Sequence, residues 1–202
     1  MTLEQLKFYY SISDDEEVSK RALFDSENAR KTALKELIGE KAISKGNLWS
    51  ILFPDYESKK RITSKKNQLD GIDFMITTSD GTVYNIDLKC VQGDYSWDGT
   101  ETSDHLMFEG VLRAPVEIRQ NGVFTNLQKK KTDFLLYIFH QPGGVYYSLL
   151  PYSMIVNFSK QCDAIVCENT HSKQNTFIHH TSNNGTGDYV LFPAKVEKLY
   201  SF

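Results

Sequence analysis

The sequence predicts an α/β fold, in which helices pack against a β-sheet, and three stretches carry this prediction. Apolar residues recur at helical spacing over residues 14–38, whereas apolar and polar residues alternate around a turn over residues 68–90. Farther along, the runs TDFLLYIFH and VYYSLLP are rich in β-branched and aromatic residues and flank the turn sequence QPGG. A helical segment followed by two strand pairs is typical of a sheet covered by helices.

The composition is that of a folded globular protein. The chain has 202 residues, of which 40% are hydrophobic and 24% charged, so we expect one domain over residues 1–202. No window approaches the roughly 18 apolar residues of a membrane-spanning helix, and the N-terminus MTLEQLKFYY lacks the basic and apolar regions of a signal peptide. We therefore expect a cytoplasmic protein without membrane contact, whose three cysteines are reduced.

The helical segment carries start and stop signals. Ser13 followed by Glu16 matches a capping box, and Gly39 offers a stop, so we expect one helix, or two separated by a short break, over residues 14–38. The stretch GNLWSILFPD predicts a second, short helix that ends at Pro54.

The later part of the chain is less regular. Residues 93–128 favour no assignment. The tract HHTSNNGTGD predicts a loop because it is rich in Gly, Asn and Ser, and the run YVLFPAKVEKLY after it predicts a late strand.

The alternating stretch QLDGIDFMITTSDGTVYNIDLKC predicts a β-hairpin whose loop length decides which side chains share a face. A two-residue loop of Asp80 and Gly81 would mix apolar and charged residues on each face. A three-residue loop that begins at Ser79 separates them and places Asp73 opposite Asp87. Because a slip of one residue would expose the whole apolar set, we expect the three-residue loop. The apolar pairs would then be Ile72 with Leu88, Phe74 with Ile86 and Ile76 with Tyr84.

The two acids of this hairpin form a candidate cation site. Directly opposed residues have β-carbons about 4.5–5.5 Å apart, so Asp73 and Asp87 would repel each other unless a cation lies between them. Mg²⁺ often binds through one or two carboxylates with water and substrate phosphate, and Lys89 would stand beside it. In the alternative interpretation these residues are the solvated face of an amphipathic hairpin. A second acid-x-lysine triplet, ESK at residues 57–59, lacks the alternating flanks.

This arrangement resembles the PD-(D/E)xK nuclease superfamily, the restriction-endonuclease-like fold. The matching residues are Asp73 in GIDFMI, Asp87 in IDLK, and Lys89. The resemblance covers the order of elements over about residues 14–150 and a motif of about twenty residues. Ile72 stands where the name motif of the family has proline, and the literal dipeptide PD at residues 54–55 lacks the hairpin context. The resemblance implies a mixed central β-sheet flanked by helices.

The resemblance also implies an activity. The protein would be a Mg²⁺-dependent endonuclease, with Mn²⁺ as an alternative metal, that hydrolyses phosphodiester bonds, more often in DNA than in RNA. Asp73, Asp87 and the backbone carbonyl of Leu88 would bind the metal. Lys89, with a lowered pKa, would orient or deprotonate the attacking water. A homodimer would suit cleavage of both strands of a duplex.

Further residues would complete such a site. In many family members an acid of the first helix joins the metal ligands, and Glu27 and Glu36 both qualify here. A basic cluster that leads into the hairpin would contact phosphate, and a second one, QKKK, ends at Lys131; taken alone, each is equally a solvated surface. The residues of the first cluster are Lys59, Lys60, Arg61, Lys65 and Lys66.

Other patterns have a structural interpretation beside the functional one. Cys162, Cys167 and His171 have a spacing that zinc sites use, but CDAIVC also fits a buried strand and lacks the tight two-residue gaps. Tyr95 and Trp97 would stack on bases or belong to the core. The formal net charge of −3 favours the alternative to an enzyme, a non-catalytic nucleic-acid-binding or protein-interaction module that retains the nuclease fold.

Overall fold

A computed structural model describes residues 2–13, 18, 27–64, 70–91, 107–108, 111–120, 123–124, 130–141, 143–157, 178–181 and 187–202. Helices precede most of the strands, and residues 152–157 are helical as well. The helices are α1 (Leu3–Tyr9), α2 (Glu27–Lys45) and α3 (Leu48–Leu52). The strands are β1 (Tyr56–Arg61), β2 (Phe74–Thr78), β3 (Val83–Val91), β4 (Met107–Phe108), β5 (Val111–Gln120), β6 (Val123–Phe124), β7 (Phe134–Gln141), β8 (Gly144–Pro151), β9 (Ile178–Thr181), β10 (Gly187–Lys195) and β11 (Glu197–Tyr200).

The first sheet is mixed and has six strands in the order β1-β2-β3-β7-β8-β11. Strands β3 and β7 are parallel, whereas the other neighbours in this sheet are antiparallel. The prediction of an α/β fold with a mixed sheet and flanking helices is confirmed. The parallel pair matters for the site because it brings residues near position 135 beside the hairpin.

The second sheet combines β4, β5 and β6, from the segment for which the sequence favoured no assignment, with β9 and β10 from later in the chain. It has the order β4-β5-β10-β9, with β6 paired to β5. The tract HHTSNNGTGD begins within β9 and ends within β10, so the prediction of a loop is wrong for those ends. The late strand is confirmed as β10 and β11. The second hairpin is confirmed too, as the antiparallel pair β7 and β8.

Helix α2 differs from the prediction at its end. It continues through Gly39 to Lys45, so the predicted stop is wrong. Gly39 serves packing instead, since a Cβ there would lie 3.2 Å from the Cβ of Cys90 and 3.3 Å from Cδ2 of Leu88. The absence of a side chain lets α2 approach β3 closely. The chain turns after Lys45 at Asn47, whose φ of 50° is left-handed.

The N-terminal region also departs from the prediction. Helix α1 was not predicted, although Thr2 and Gln5 form a capping box at its start. Ser13 lies outside any helix, and Glu16 lies outside the described residues. The short helix before Pro54 is confirmed as α3.

We expect Gly39→Leu to destabilise the protein by about 1–3 kcal/mol, the usual cost of overpacking a well-filled interior. The new side chain would push α2 away from Leu88 and Cys90, which lie on β3. Urea unfolding followed by circular dichroism measures the change. Ser44→Leu, at an exposed position of the same helix, is the matched control and should leave the unfolding midpoint nearly unchanged. Equal midpoints for the two variants would contradict the role of Gly39.

One face of the first sheet holds the main apolar core. Buried side chains of α2 and α3, among them Leu37, Ile38 and Trp49, pack against it. The strand residues in that core alternate, which directs the intervening residues to the opposite face. The core residues of β2, β3 and β7 include Phe74, Ile76, Ile86, Leu88, Leu136 and Ile138.

Candidate functional site

The predicted register of the first hairpin is confirmed for residues 74–77 of β2, whereas the predicted pairs Ile72 with Leu88 and Asp73 with Asp87 lie beyond the end of this ladder. Phe74 pairs with Ile86 and Thr77 with Val83, which leaves the three-residue loop. Gly81 closes that loop with a φ of 82° and donates its N–H to the carbonyl of Thr78. Asp87 and Lys89 therefore lie on the face of β3 opposite the helical core.

Asp73 lies one residue before β2, where the regular ladder between the two strands ends. Its N–H donates to the carbonyl of Ile86, and its carboxylate oxygen Oδ2 accepts the N–H of Leu88 at 2.8 Å. The Asp73 carboxylate thus takes the place of a backbone carbonyl as the acceptor for the N–H of Leu88 on β3. In an extended strand the N–H and C=O of one residue point to the same side, so the carbonyl of Leu88 also points toward Asp73.

Asp87 and Lys89 form a short ion pair. Nζ of Lys89 lies 2.6 Å from Oδ1 of Asp87, whose side chain is 4% exposed, whereas that of Lys89 is 49% exposed. The buried carboxylate of Asp87 is therefore held by the ammonium group of a side chain that is half exposed. Because the two residues are separated by one position on a strand, they share a face as the sequence predicts.

The pKa of Asp73 reflects its burial and the proximity of Asp87. Burial and the charge of Asp87 raise the pKa of Asp73 to about 7, although Lys89 and the N–H of Leu88 act in the opposite direction. Two carboxylates in a partly buried site cannot both ionise cheaply. Near neutral pH the carboxyl of Asp73 is therefore protonated in part of the molecules, and a cation that binds there would displace this proton.

The pKa of Lys89 is raised by its neighbours. Burial acts to lower it, but the carboxylates of Asp87, Asp73 and Glu36 outweigh burial and raise it. The predicted lowering applies to a lysine beside a bound metal and stays a prediction. A bound cation would offset the same carboxylates and remove the cause of the upward shift.

The two helix acids that the sequence left open have different surroundings. The charge of Glu36, on α2, adds to larger causes in raising the pKa values of Asp73 and Lys89, so Glu36 is within electrostatic reach of both. Glu27 is exposed and pairs with Lys31 at 2.6 Å. A role of either acid as a metal ligand stays a prediction.

Strand β1 divides the first basic cluster between two faces. Lys59 and Arg61 are on the helical face, where Lys59 donates to Ser44 and Arg61 pairs with Glu36 at 3.3 Å and Glu40 at 2.6 Å. Lys60 is exposed and pairs across the strands with Met75, on the face that bears Asp87. Lys65 and Lys66 lie outside the described residues.

The second basic cluster lies beside the approach to Asp73. The N–H of Lys131 donates to the carbonyl of Asp70, and Nζ of Lys131 lies 3.4 Å from Oδ2 of the same residue. Thr132 donates to the carbonyl of Gly71, which has a φ of 78°. Cations from two separate segments, near positions 60 and 131, thus lie on either side of the chain that carries Asp73.

Two tyrosines at the site were missed by sequence reasoning. Burial and the charge of Asp87 raise the pKa of Tyr152 to about 12, and the same two causes raise that of Tyr137. Both phenols are therefore near Asp87. The sequence held no signal for this, since the proximity depends on the pairing of β3 with β7. Tyr95, Trp97, Cys162, Cys167 and His171 lie outside the described residues.

Comparisons with known proteins give this chain no relative. No protein-family model, curated protein or solved structure matches it. Within the part of the chain that the structure describes, no group of three or more His, Cys, Asp or Glu side chains is placed to hold a metal ion. Among the same residues, no helix has the length and apolar character needed to cross a membrane.

Proposed function

We propose that this protein is a metal-dependent endonuclease with a restriction-endonuclease-like fold, acting on nucleic acid and most readily on DNA. The observation that carries the proposal is the convergence of Asp73, Asp87 and Lys89 at the end of one hairpin, with the pKa of Asp73 raised to about 7. Shifted pKa values concentrate at functional sites because burial and like charges there serve chemistry.

The donor set suits a hard cation. Asp73, Asp87 and the carbonyl of Leu88 offer three oxygens, and Mg²⁺ usually takes its remaining ligands from water and substrate phosphate. Two carboxylates are too few for a Mg²⁺ site whose ligands all come from the protein. When bound, the metal would polarise the scissile phosphate and acidify a water.

The residues of the chain would have separate roles. Asp73 and Asp87 would fix the metal, while Lys89, half exposed and held by Asp87, would orient the attacking water and move its proton. Lys60 and Lys131 would attract the phosphate backbone from opposite sides of Asp73. This division predicts a salt-sensitive enzyme in which Lys60 and Lys131 control substrate binding and Lys89 acts in the chemical step.

The test is cleavage of supercoiled plasmid, single-stranded DNA and RNA by the purified protein with Mg²⁺, with Mn²⁺ or with EDTA. We expect cutting in the presence of metal and none with EDTA, and the cut substrate identifies the nucleic acid. Nicked or linear plasmid would identify an endonuclease. Absence of cutting in every condition, together with no Mn²⁺ binding by calorimetry, would overturn the proposal.

We expect metal to stabilise the protein more at pH 8 than at pH 6. The pKa of Asp73 in the folded protein is raised to about 7. The protein therefore loses stability as the pH rises from the ordinary pKa of an aspartate toward 7, because Asp73 must ionise in an unfavourable environment. Metal binding needs the ionised form, and below pH 7 its apparent affinity should fall by about tenfold per pH unit. Thermal unfolding with and without Mn²⁺ at both pH values measures the difference.

The control for this prediction is Asp73→Asn, which removes the titrating group. Its metal-induced stabilisation should be small at both pH values. A wild-type shift in melting temperature that is equal at pH 6 and pH 8 would contradict the role of Asp73.

One observation favours a second candidate, a nucleic-acid-binding module without catalysis. The side chain of Asp87 is 4% exposed and already paired with Lys89, which are the properties of a structural ion pair. This candidate predicts salt-sensitive binding of nucleic acid that is unaffected by EDTA, with no cleavage. The metal-binding and cleavage experiments therefore separate the two.

A further inference from the structure

The face of the sheet that carries Asp87 also carries a row of buried hydroxyl groups. On β3, β7 and β8, Asp87 lies beside Leu135 and then Leu150, and the next row on the same face holds Lys89, Tyr137 and Ser148. Tyr137 and Ser148 are each 2% exposed, and Tyr152, directly after β8, is 5% exposed.

The hydroxyl of Tyr152 has no hydrogen-bond partner among the described residues, and neither does that of Ser148. Buried polar groups almost always have hydrogen-bond partners, so these two buried hydroxyls without partners need an explanation. A phenylalanine would fill the same volume without that cost. The packing of the fold therefore gives no reason for the Tyr152 hydroxyl.

The backbone of Tyr152 is fixed to the strand that carries the acid. Its N–H donates to the carbonyl of Asp133 at 2.8 Å. Asp133 in turn donates its N–H to the carbonyl of Asn85 and accepts the N–H of Asn85 on its carboxylate. Asn85 is two residues before Asp87 on β3, so these bonds hold the backbone of Tyr152 in register with the strand that carries Asp87.

Burial and, second to it, the charge of Asp87 raise the pKa of the Tyr152 phenol. The phenol and the carboxylate are therefore within electrostatic reach of each other. They are farther apart than a direct hydrogen bond in the metal-free protein. A water between buried polar groups usually has two to four partners, and the Tyr152 hydroxyl and the Asp87 carboxylate supply two of them.

We propose that Tyr152 is a positioning residue that orients the Asp87 carboxylate toward a divalent cation, by donating a hydrogen bond to it directly or through one buried water. The inference rests on the proposed metal site and adds a residue to it. Groups that orient metal ligands in this way act on affinity, because they reduce the freedom that the ligand loses on binding.

The experiment compares Tyr152→Phe with Tyr147→Phe. Tyr147 faces the helical core, and its hydroxyl donates to Oε2 of Glu197 at 2.6 Å. We expect Tyr152→Phe to weaken Mn²⁺ binding by about 10-fold or more, while its melting temperature is unchanged or raised because an orphaned hydroxyl is removed. Tyr147→Phe should show the reverse, with a lower melting temperature and unchanged Mn²⁺ affinity.

Isothermal titration with Mn²⁺ and thermal unfolding of the metal-free proteins give the two readouts. If the wild-type protein cleaves nucleic acid, saturating Mn²⁺ should restore most of the rate of Tyr152→Phe. Equal Mn²⁺ affinity in wild type and Tyr152→Phe would overturn the role of Tyr152 and leave the metal site intact. A wild-type protein that binds no Mn²⁺ would overturn the metal site and, with it, the role of Tyr152.

Discussion

Replacement of Asp87 by asparagine is expected to lower the rate of metal-dependent cleavage by at least about 1,000-fold, the scale on which single essential catalytic groups act. Asparagine keeps the shape of the buried side chain but removes the charge that would bind the cation. It also leaves Lys89 without the partner that lies 2.6 Å away. Single-turnover cleavage with Mn²⁺ and calorimetric Mn²⁺ titration measure the two losses.

The fold should survive this substitution. Removing the charge of Asp87 relieves the repulsion that raises the pKa of Asp73, and this gain opposes the loss of the ion pair with Lys89. Asp80→Asn is the matched control, since the Asp80 carboxylate accepts bonds from Thr78 and Thr82 in the turn at the far end of the hairpin. It should cost stability and leave cleavage intact. Cleavage by Asp87→Asn at the wild-type rate would contradict the site.

Replacement of Lys89 by methionine is expected to lower the cleavage rate by about 100- to 10,000-fold, the range for loss of a group that moves a proton. Methionine retains an apolar stem of similar length. Because a positive charge next to the metal site is removed, Mn²⁺ affinity should be unchanged or higher. Loss of rate with retained metal binding is the signature that separates Lys89 from Asp87.

Two further variants sharpen this test. Lys89→Arg keeps the positive charge but cannot give up a proton, so it should restore little activity if Lys89 takes part in proton transfer. Lys60→Met removes an exposed cation on the same face and should weaken substrate binding and its salt dependence, with a smaller effect on the rate at saturation. Full activity of Lys89→Arg would assign Lys89 a purely electrostatic role.

We expect substitutions of Asp87, Lys89 and Tyr152 to change different measured quantities. Substitution of Asp87 should lower both the metal affinity and the cleavage rate. Substitution of Lys89 should lower only the rate, and substitution of Tyr152 should lower only the metal affinity. A protein that only binds nucleic acid would show none of these differences. The three substitutions together therefore test the assignment of roles more strictly than the presence of activity does.

The first hairpin was predictable from the sequence because its information is local. The alternation of apolar residues and the SDG loop determine one register, in which Phe74 pairs with Ile86. The same register brings Asp73 and Asp87 together and puts Lys89 on the face of Asp87. A period of two along a strand requires no knowledge of the rest of the chain.

Helix α2 shows where local signals fail. Gly39 has the identity of a helix stop, but the helix continues because β3 passes so close that Leu88 and Cys90 leave no room for a side chain at that position. The helix gains more from covering the sheet than the glycine costs.

By itself, the sequence determined the two hairpins, the proximity of the two acids and the order of helix and sheet, all of which follow from patterns over a few residues. Tertiary structure alone decided the parallel pairing of β3 with β7, which brings Tyr137 and Tyr152 near Asp87. It also decided the raised pKa of Asp73, because burial depends on every element packed around the site. Parallel strands join segments far apart in the chain, and no local periodicity encodes that choice.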